Sequence, residues 1–120
     1  MHRYIGNRSK MNRKIIAYKS YFNDYFKTLD RPTQDKFLYV LEILRTQDRI
    51  PTKFVKSIKK GLFELRIEFQ GNIYRVFFIF DGNQIVVLFN AFQKKTQKTP
   101  PGEIERALKL MEEYYGSKND

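Results

Sequence analysis

The sequence predicts one α+β domain, a mainly antiparallel sheet with helices packed on it, in the order β-α-α-β-β-β-α. Three observations carry this. Residues 63–69 and 72–78 alternate apolar and polar with a period of two on either side of Gln70-Gly71, the pattern of a tight β-hairpin. Residues 22–29, 37–44 and 104–111 repeat apolar side chains at helical spacing, the pattern of amphipathic helices. The 120 residues are 42% hydrophobic, with 11 Phe and 8 Tyr, enough for a single core without staples.

The elements follow in chain order. Residues 1–12 are basic and aperiodic and read as a flexible leader, with Met11 an alternative start. The domain proper is 13–116, and 117–120 are a tail. Residues 14–18 (Lys-Ile-Ile-Ala-Tyr) form a short strand. Phe22, Tyr25, Phe26 and Leu29 mark a first helix. Asp30-Arg31-Pro32-Thr33 opens a second, with Asp30 or Thr33 as cap and Pro32 in the first turn. Phe37, Val40, Leu41 and Leu44 continue it, and Ile50-Pro51 closes the region. The two helices form a helical hairpin. Residues 53–60 read as a basic connector. The hairpin follows, and Asp81-Gly82 signals a second turn. Residues 84–92 are apolar on both faces, as a central strand would be. Thr99-Pro100-Pro101 announces a last helix with the stripe Ile104, Ala107, Leu108 and Met111, finished by Tyr114 and Tyr115 and stopped at Gly116.

Composition narrows function. There is no Cys and a single His, His2, so thiol chemistry is excluded and a histidine-pair or histidine–metal site is not expected. No metal or cofactor is expected. No apolar run approaches the ~20 residues of a membrane span and no signal peptide is evident, so the expected location is the cytoplasm. The net charge of +10 points to nucleic acid first and an acidic protein second. Residues 53–98 hold nine basic and three acidic side chains, so the positive field belongs to the sheet and its loops.

With Gln70-Gly71 as a two-residue turn, Phe69 faces Asn72 and Arg66 faces Arg75, at roughly 5 Å between Cβ atoms. Like charges placed so repel, and the pair makes sense if an anion sits between them. Their face also carries Glu64, Glu68, Ile73, Phe77 and Ile79, opposite the apolar face of Phe63, Leu65, Ile67, Phe69, Tyr74, Val76 and Phe78. Guanidinium groups can clamp a phosphate and stabilise its transition-state charge. A carboxylate such as Glu64, or a lysine of lowered pKa such as Lys95, can move a proton, and Phe77 can stack a base. The same pattern fits a cross-strand salt-bridge ladder, and Phe77 fits a core role. The second cluster is the run 93–100, in which Lys94, Lys95 and Lys98 can hold phosphates by point charge. Lys59 and Lys60 of the connector extend this basic surface. Such a lysine run also fits a plain solvated loop.

Together, Gly61-Leu62-Phe63-Glu64-Leu65-Arg66, Tyr74-Arg75-Val76, Phe92-Gln93-Lys94-Lys95-Thr96-Gln97-Lys98-Thr99-Pro100 and Glu103-Ile104-Glu105-Arg106-Ala107 resemble the RelE/HigB toxins, most nearly the HigB-like, phage-derived branch. The resemblance spans roughly residues 14–115. It implies a RelE-like fold and a type II toxin–antitoxin pair. It implies a metal-independent mRNA interferase, cutting translated messages in the ribosomal A site and silenced by a helix-turn-helix antitoxin. Arg75 matches the family arginine that contacts the scissile phosphate, and Arg66 a position where relatives carry a basic catalytic residue. Lys94, Lys95 and Lys98 lie where relatives place further basic residues. The tyrosine that RelE carries in its last helical region has no counterpart between Thr99 and Ala107. The rival readings are a non-catalytic, ParE-like gyrase inhibitor of the same superfold and a plain RNA-binding module.

Overall fold

The computed structural model describes residues 11–118. Its elements are β1 (Lys14–Ala17), α1 (Tyr21–Lys27), α2 (Arg31–Thr46), β2 (Val55–Lys59), β3 (Leu62–Phe69), β4 (Asn72–Asp81), β5 (Ile85–Lys94) and α3 (Pro101–Lys118). The five strands form one sheet in the order β1-β5-β4-β3-β2. β1 runs parallel to β5, and every other pairing is antiparallel.

The α+β architecture is as the sequence predicts, with one strand more. The segment read as a basic connector contains β2, which pairs with β3 at the sheet edge. Its side chains alternate only weakly, because an edge strand rich in lysine keeps few apolar residues. The missed signal was Lys60-Gly61. Both have positive φ, 56° and 86°, as a two-residue hairpin turn requires. Gln70 and Gly71 do the same, at 50° and 79°, and fix Phe69 opposite Asn72 and Arg66 opposite Arg75.

Two helices cover one sheet face. α2 presents Phe37, Val40, Leu41 and Leu44, and α1 adds Phe22, against Leu65, Ile67, Tyr74, Val76, Phe78, Val86 and Leu88. Asp30 caps α2 by accepting the Thr33 N–H at 3.0 Å, which satisfies one of the donors that a helix start leaves open. The other end of α2 is capped by Arg13, whose Nη1 donates to the carbonyls of Leu44 and Gln47 at 2.7 and 2.6 Å. A cation there also meets the negative end of the helix dipole. Met11, placed in the expected leader, donates its N–H to the Thr46 carbonyl. The rest of the expected leader, residues 1–10, lies outside the described residues.

The second face is half covered. α3 sets Ala107, Leu110 and Met111 on Leu62, Phe77, Ile79, Val87, Phe89 and Phe92. The expected stripe omitted Leu110, while Ile104 and Leu108 pack only in part. Tyr115 is exposed rather than packed. The helix does not stop at Gly116. Tyr114 Oη donates to Asp81 Oδ2 and Lys118 Nζ pairs with the same oxygen, both at 2.6 Å, and these contacts hold the last turn through the glycine. No helix among the described residues is long and apolar enough to cross a membrane.

Candidate functional site

Towards the Gln70-Gly71 turn the second face is free of α3, and here the charged residues gather. The register makes Arg66 and Arg75 direct neighbours and places Glu64 opposite Phe77 and Glu68 opposite Ile73. On β4–β5, Arg75 lies opposite Phe92 and Ile73 opposite Lys94. On the other side Lys56 of β2 faces Glu64. Directly opposed residues share a face, so Lys56, Glu64, Arg66, Arg75 and Lys94 form one belt across four strands.

Lys94 reaches this belt because of a β-bulge. Between Val76 and Phe78 the β4–β5 register shifts, Val76 pairing with Ala91 and Phe78 with Leu88. β5 thus carries one extra residue, around Phe89 and Asn90, and the alternation of every later residue flips. Without it Lys94 would point to the α2 face. Asn90 sits in the bulge, buried, and its Nδ2 donates to the carbonyl and the Oε1 of Glu103 at 3.1 and 3.0 Å. It therefore ties the bulge to the start of α3.

Glu64 and Arg75 lie at the boundary between the covered and open halves, 2% and 3% exposed. Arg75 Nε is 3.3 Å from Glu64 Oε1, an ion pair that is not aligned as a hydrogen bond. Arg75 Nη1 donates to the Tyr74 carbonyl at 3.0 Å. The second Glu64 oxygen accepts the Thr99 hydroxyl at 2.9 Å, so Glu64 bridges Arg75 to the segment that enters α3. Burial pushes the Arg75 guanidinium below its ordinary pKa and Arg66 adds to this, while Glu64 and Glu68 oppose it. An arginine stays charged throughout. Lys94 is also held below its ordinary value, first by loss of solvent, then by Arg75, with smaller pushes from Arg66 and Lys56 against the pull of Glu64.

These positions revise several expected roles. Glu64 is buried with both oxygens engaged, so it holds Arg75 and Thr99 in place and has no free lone pair facing solvent for a substrate proton. Phe77 is fully buried and stacked on Phe92, with ring centroids 5.8 Å apart, so no ring face is open to a base. Arg75 presents almost no surface to a phosphate, and the accessible cations of the belt are Arg66, Lys94 and Lys56. Lys95 lies just past the end of β5, exposed, whereas Lys94 stands among the arginines. Lys98 is exposed in the same loop. Lys59 and Lys60 lie exposed at the β2–β3 turn, next to the α3-covered end of the sheet. The sequence reading missed Lys56, since its strand was missed, and Thr99 as a partner of Glu64, since residues so distant share no local pattern. No group of three or more His, Cys, Asp or Glu among the described residues is placed to hold a metal.

A five-stranded sheet with its first strand parallel to its last, two helices on one face and one on the other, defines a RelE-like fold. The chain matches the crystal structure of the archaeal RelE–RelB complex from Pyrococcus horikoshii OT3 with a TM-score of 0.53 at 17% identity, over 71% of this chain and 98% of that one. It belongs to the family described as Phage derived protein Gp49-like (DUF891), whose model matches residues 24–112, a stretch that contains Lys56, Glu64, Arg66, Arg75 and Lys94. Among curated proteins none matches the chain by sequence.

Proposed function

We propose that the protein is the toxin of a toxin–antitoxin pair, a metal-independent endoribonuclease that cuts messenger RNA on the ribosome. The observation that carries this reading is the accessible Arg66 set beside the buried, Glu64-paired Arg75. Opposed like charges destabilise a sheet, and here a bulge brings Lys94 to the same place. Such a cluster suits a chain whose natural ligand is a phosphate diester. The RelE-like fold and the phage-derived family agree with it.

Arg66 holds the scissile phosphate, and Arg75 adds its positive field from behind while depressing the Lys94 pKa. Lys94, in the fraction that its lowered pKa leaves neutral, takes the proton of the 2′-hydroxyl. The 2′ oxygen attacks the adjacent phosphorus, the bond to the 5′ oxygen breaks, and that oxygen leaves with a proton from Lys56, within electrostatic reach of Lys94. The products are a 2′,3′-cyclic phosphate and a 5′-hydroxyl. Lys95 and Lys98 dock the surrounding RNA. The cognate antitoxin is a small helix-turn-helix protein with an acidic surface, steered to this face by complementary charge. The test is induced expression with mapping of mRNA ends. Growth arrest with intact messages and inhibited gyrase would instead place the chain with the ParE-like inhibitors, and no arrest would leave only an RNA-binding module.

A further inference from the structure

Beside the belt, the sheet edge opens into a groove of about 310 Å³, lined by Lys36 and Tyr39 of α2, Lys53 and Phe54 before β2, and Arg66 and Glu68 of β3. Its make-up is unlike a bare helix surface. Tyr39 is 57% exposed, a large ring left in water on a helix whose other side builds the core. Lys36 Nζ stands 5.2 Å from the centre of the Tyr39 ring, and Lys53 Nζ 5.0 Å from that of Phe54. Lys36, Lys53, Arg66 and Glu68 form no ion pair among the described residues. Three unpaired cations, two rings and one carboxylate thus share a space of nucleotide size, and Arg66 belongs both to it and to the belt.

We infer that this groove is a nucleotide subsite for the RNA strand that crosses the belt, an inference that rests on the RNA-cleaving reading above. The base next to the scissile phosphate stacks on Tyr39, since every base offers a π face to an aromatic ring. Lys36 and Lys53 hold the neighbouring phosphates. Glu68, which only accepts hydrogen bonds when ionised, favours the exocyclic 4-amine of cytosine over the 4-carbonyl oxygen that uracil presents in its place. An acidic peptide would also meet the cations, but it would leave the exposed ring without a stacking partner.

The test uses fluorescently labelled ten-nucleotide oligocytidylate, oligouridylate and an abasic oligomer, with binding measured across a salt series, alongside ribosome-dependent cleavage. Tyr39→Ala should weaken oligocytidylate binding about tenfold, Tyr39→Phe should retain it, and the abasic oligomer should be indifferent to both. Lys36→Ala and Lys53→Ala should each reduce the slope of log affinity against log salt by about 0.7. Glu68→Gln should narrow the preference for cytosine over uracil. If folded Tyr39→Ala binds and cuts as the wild type does while Arg66→Ala does neither, the subsite is wrong and the RNA reading stands. If the wild type neither binds nor cuts RNA, that reading falls and the subsite with it. If Tyr39→Ala spares RNA but releases a protein encoded in the same operon, the groove is a protein-docking surface and the proposal is overturned.

Discussion

Replacing Glu64 with Gln tests whether the belt is held from beneath. The side chain keeps its shape and an oxygen for the Thr99 hydroxyl, but Arg75 loses the only carboxylate in its ion pair. Arg75 is 3% exposed and cannot shed its proton, so its charge stays buried and uncompensated. Removing one partner of a buried pair costs roughly 3–5 kcal/mol. The retained Thr99 contact and the Arg75 bond to the Tyr74 carbonyl place Glu64→Gln at the low end, about 3 kcal/mol. With a urea slope of about 1.5 kcal/mol/M for a domain of this size, the unfolding midpoint falls by about 2 M. Replacing the pair together, Glu64→Leu with Arg75→Met, removes the stranded charge and should recover most of that loss, since well-packed apolar pairs often match buried ion pairs. Equilibrium urea unfolding followed by circular dichroism reads all three. A Glu64→Gln midpoint within 0.3 M of wild type would show that Glu64 does not hold a buried arginine.

Three further expectations follow from the same geometry. Lys94 is depressed below its ordinary 10.5, so cleavage should rise with pH and level off below 10.5; Lys94→Gln should remove this limb, and an unchanged profile in that variant would move the proton transfer elsewhere. Asp81 is depressed by Lys118 and Tyr114, so its stabilising contribution is present above the unfolded value near 3.8 and is lost as pH falls through the lower folded value; acid titration of Asp81→Asn should show a shallower loss of stability across that window, and an identical acid limb would mean the α3 latch is not charged. With ribosomal magnesium controlled, cleavage should survive a chelator, and dependence on a metal bound to the protein itself would contradict the lysine–arginine chemistry.

Much of the architecture is legible in the sequence because its signals are local. Gln70-Gly71 fixes the β3–β4 register, and with it the opposition of Arg66 and Arg75, since a two-residue turn leaves one pairing. Asp30 and Pro32 mark the start of α2 for the same reason. What stays hidden depends on partners distant in sequence. The bulge at Phe89–Asn90 has no sequence mark, because a strand apolar on both faces hides a change of phase, so the sequence points to Lys95 for proton transfer while the bulge turns Lys94 into the belt. Phe77 shares a strand face with Arg75, and only the reach of α3 divides that face into a buried half and an open one. The same helix entrance, through Thr99, turns Glu64 from an exposed carboxylate into a buried brace. Gly116 signals a stop in sequence, yet Lys118 and Tyr114 carry the helix past it.

The most direct test is primer-extension mapping of a defined message in a reconstituted translation system, with wild type, Arg66→Ala and Lys94→Gln proteins of confirmed fold. The wild type should cut ribosome-bound message, leaving a 5′-hydroxyl on the downstream fragment and a 2′,3′-cyclic phosphate on the upstream one. Both variants should lose at least 10²-fold in rate, the order expected when a group that stabilises transition-state charge or moves the proton is removed. Cutting by both variants at the wild-type rate, or intact message with the wild type itself, would contradict the assignment of this face as an RNA-cleaving site.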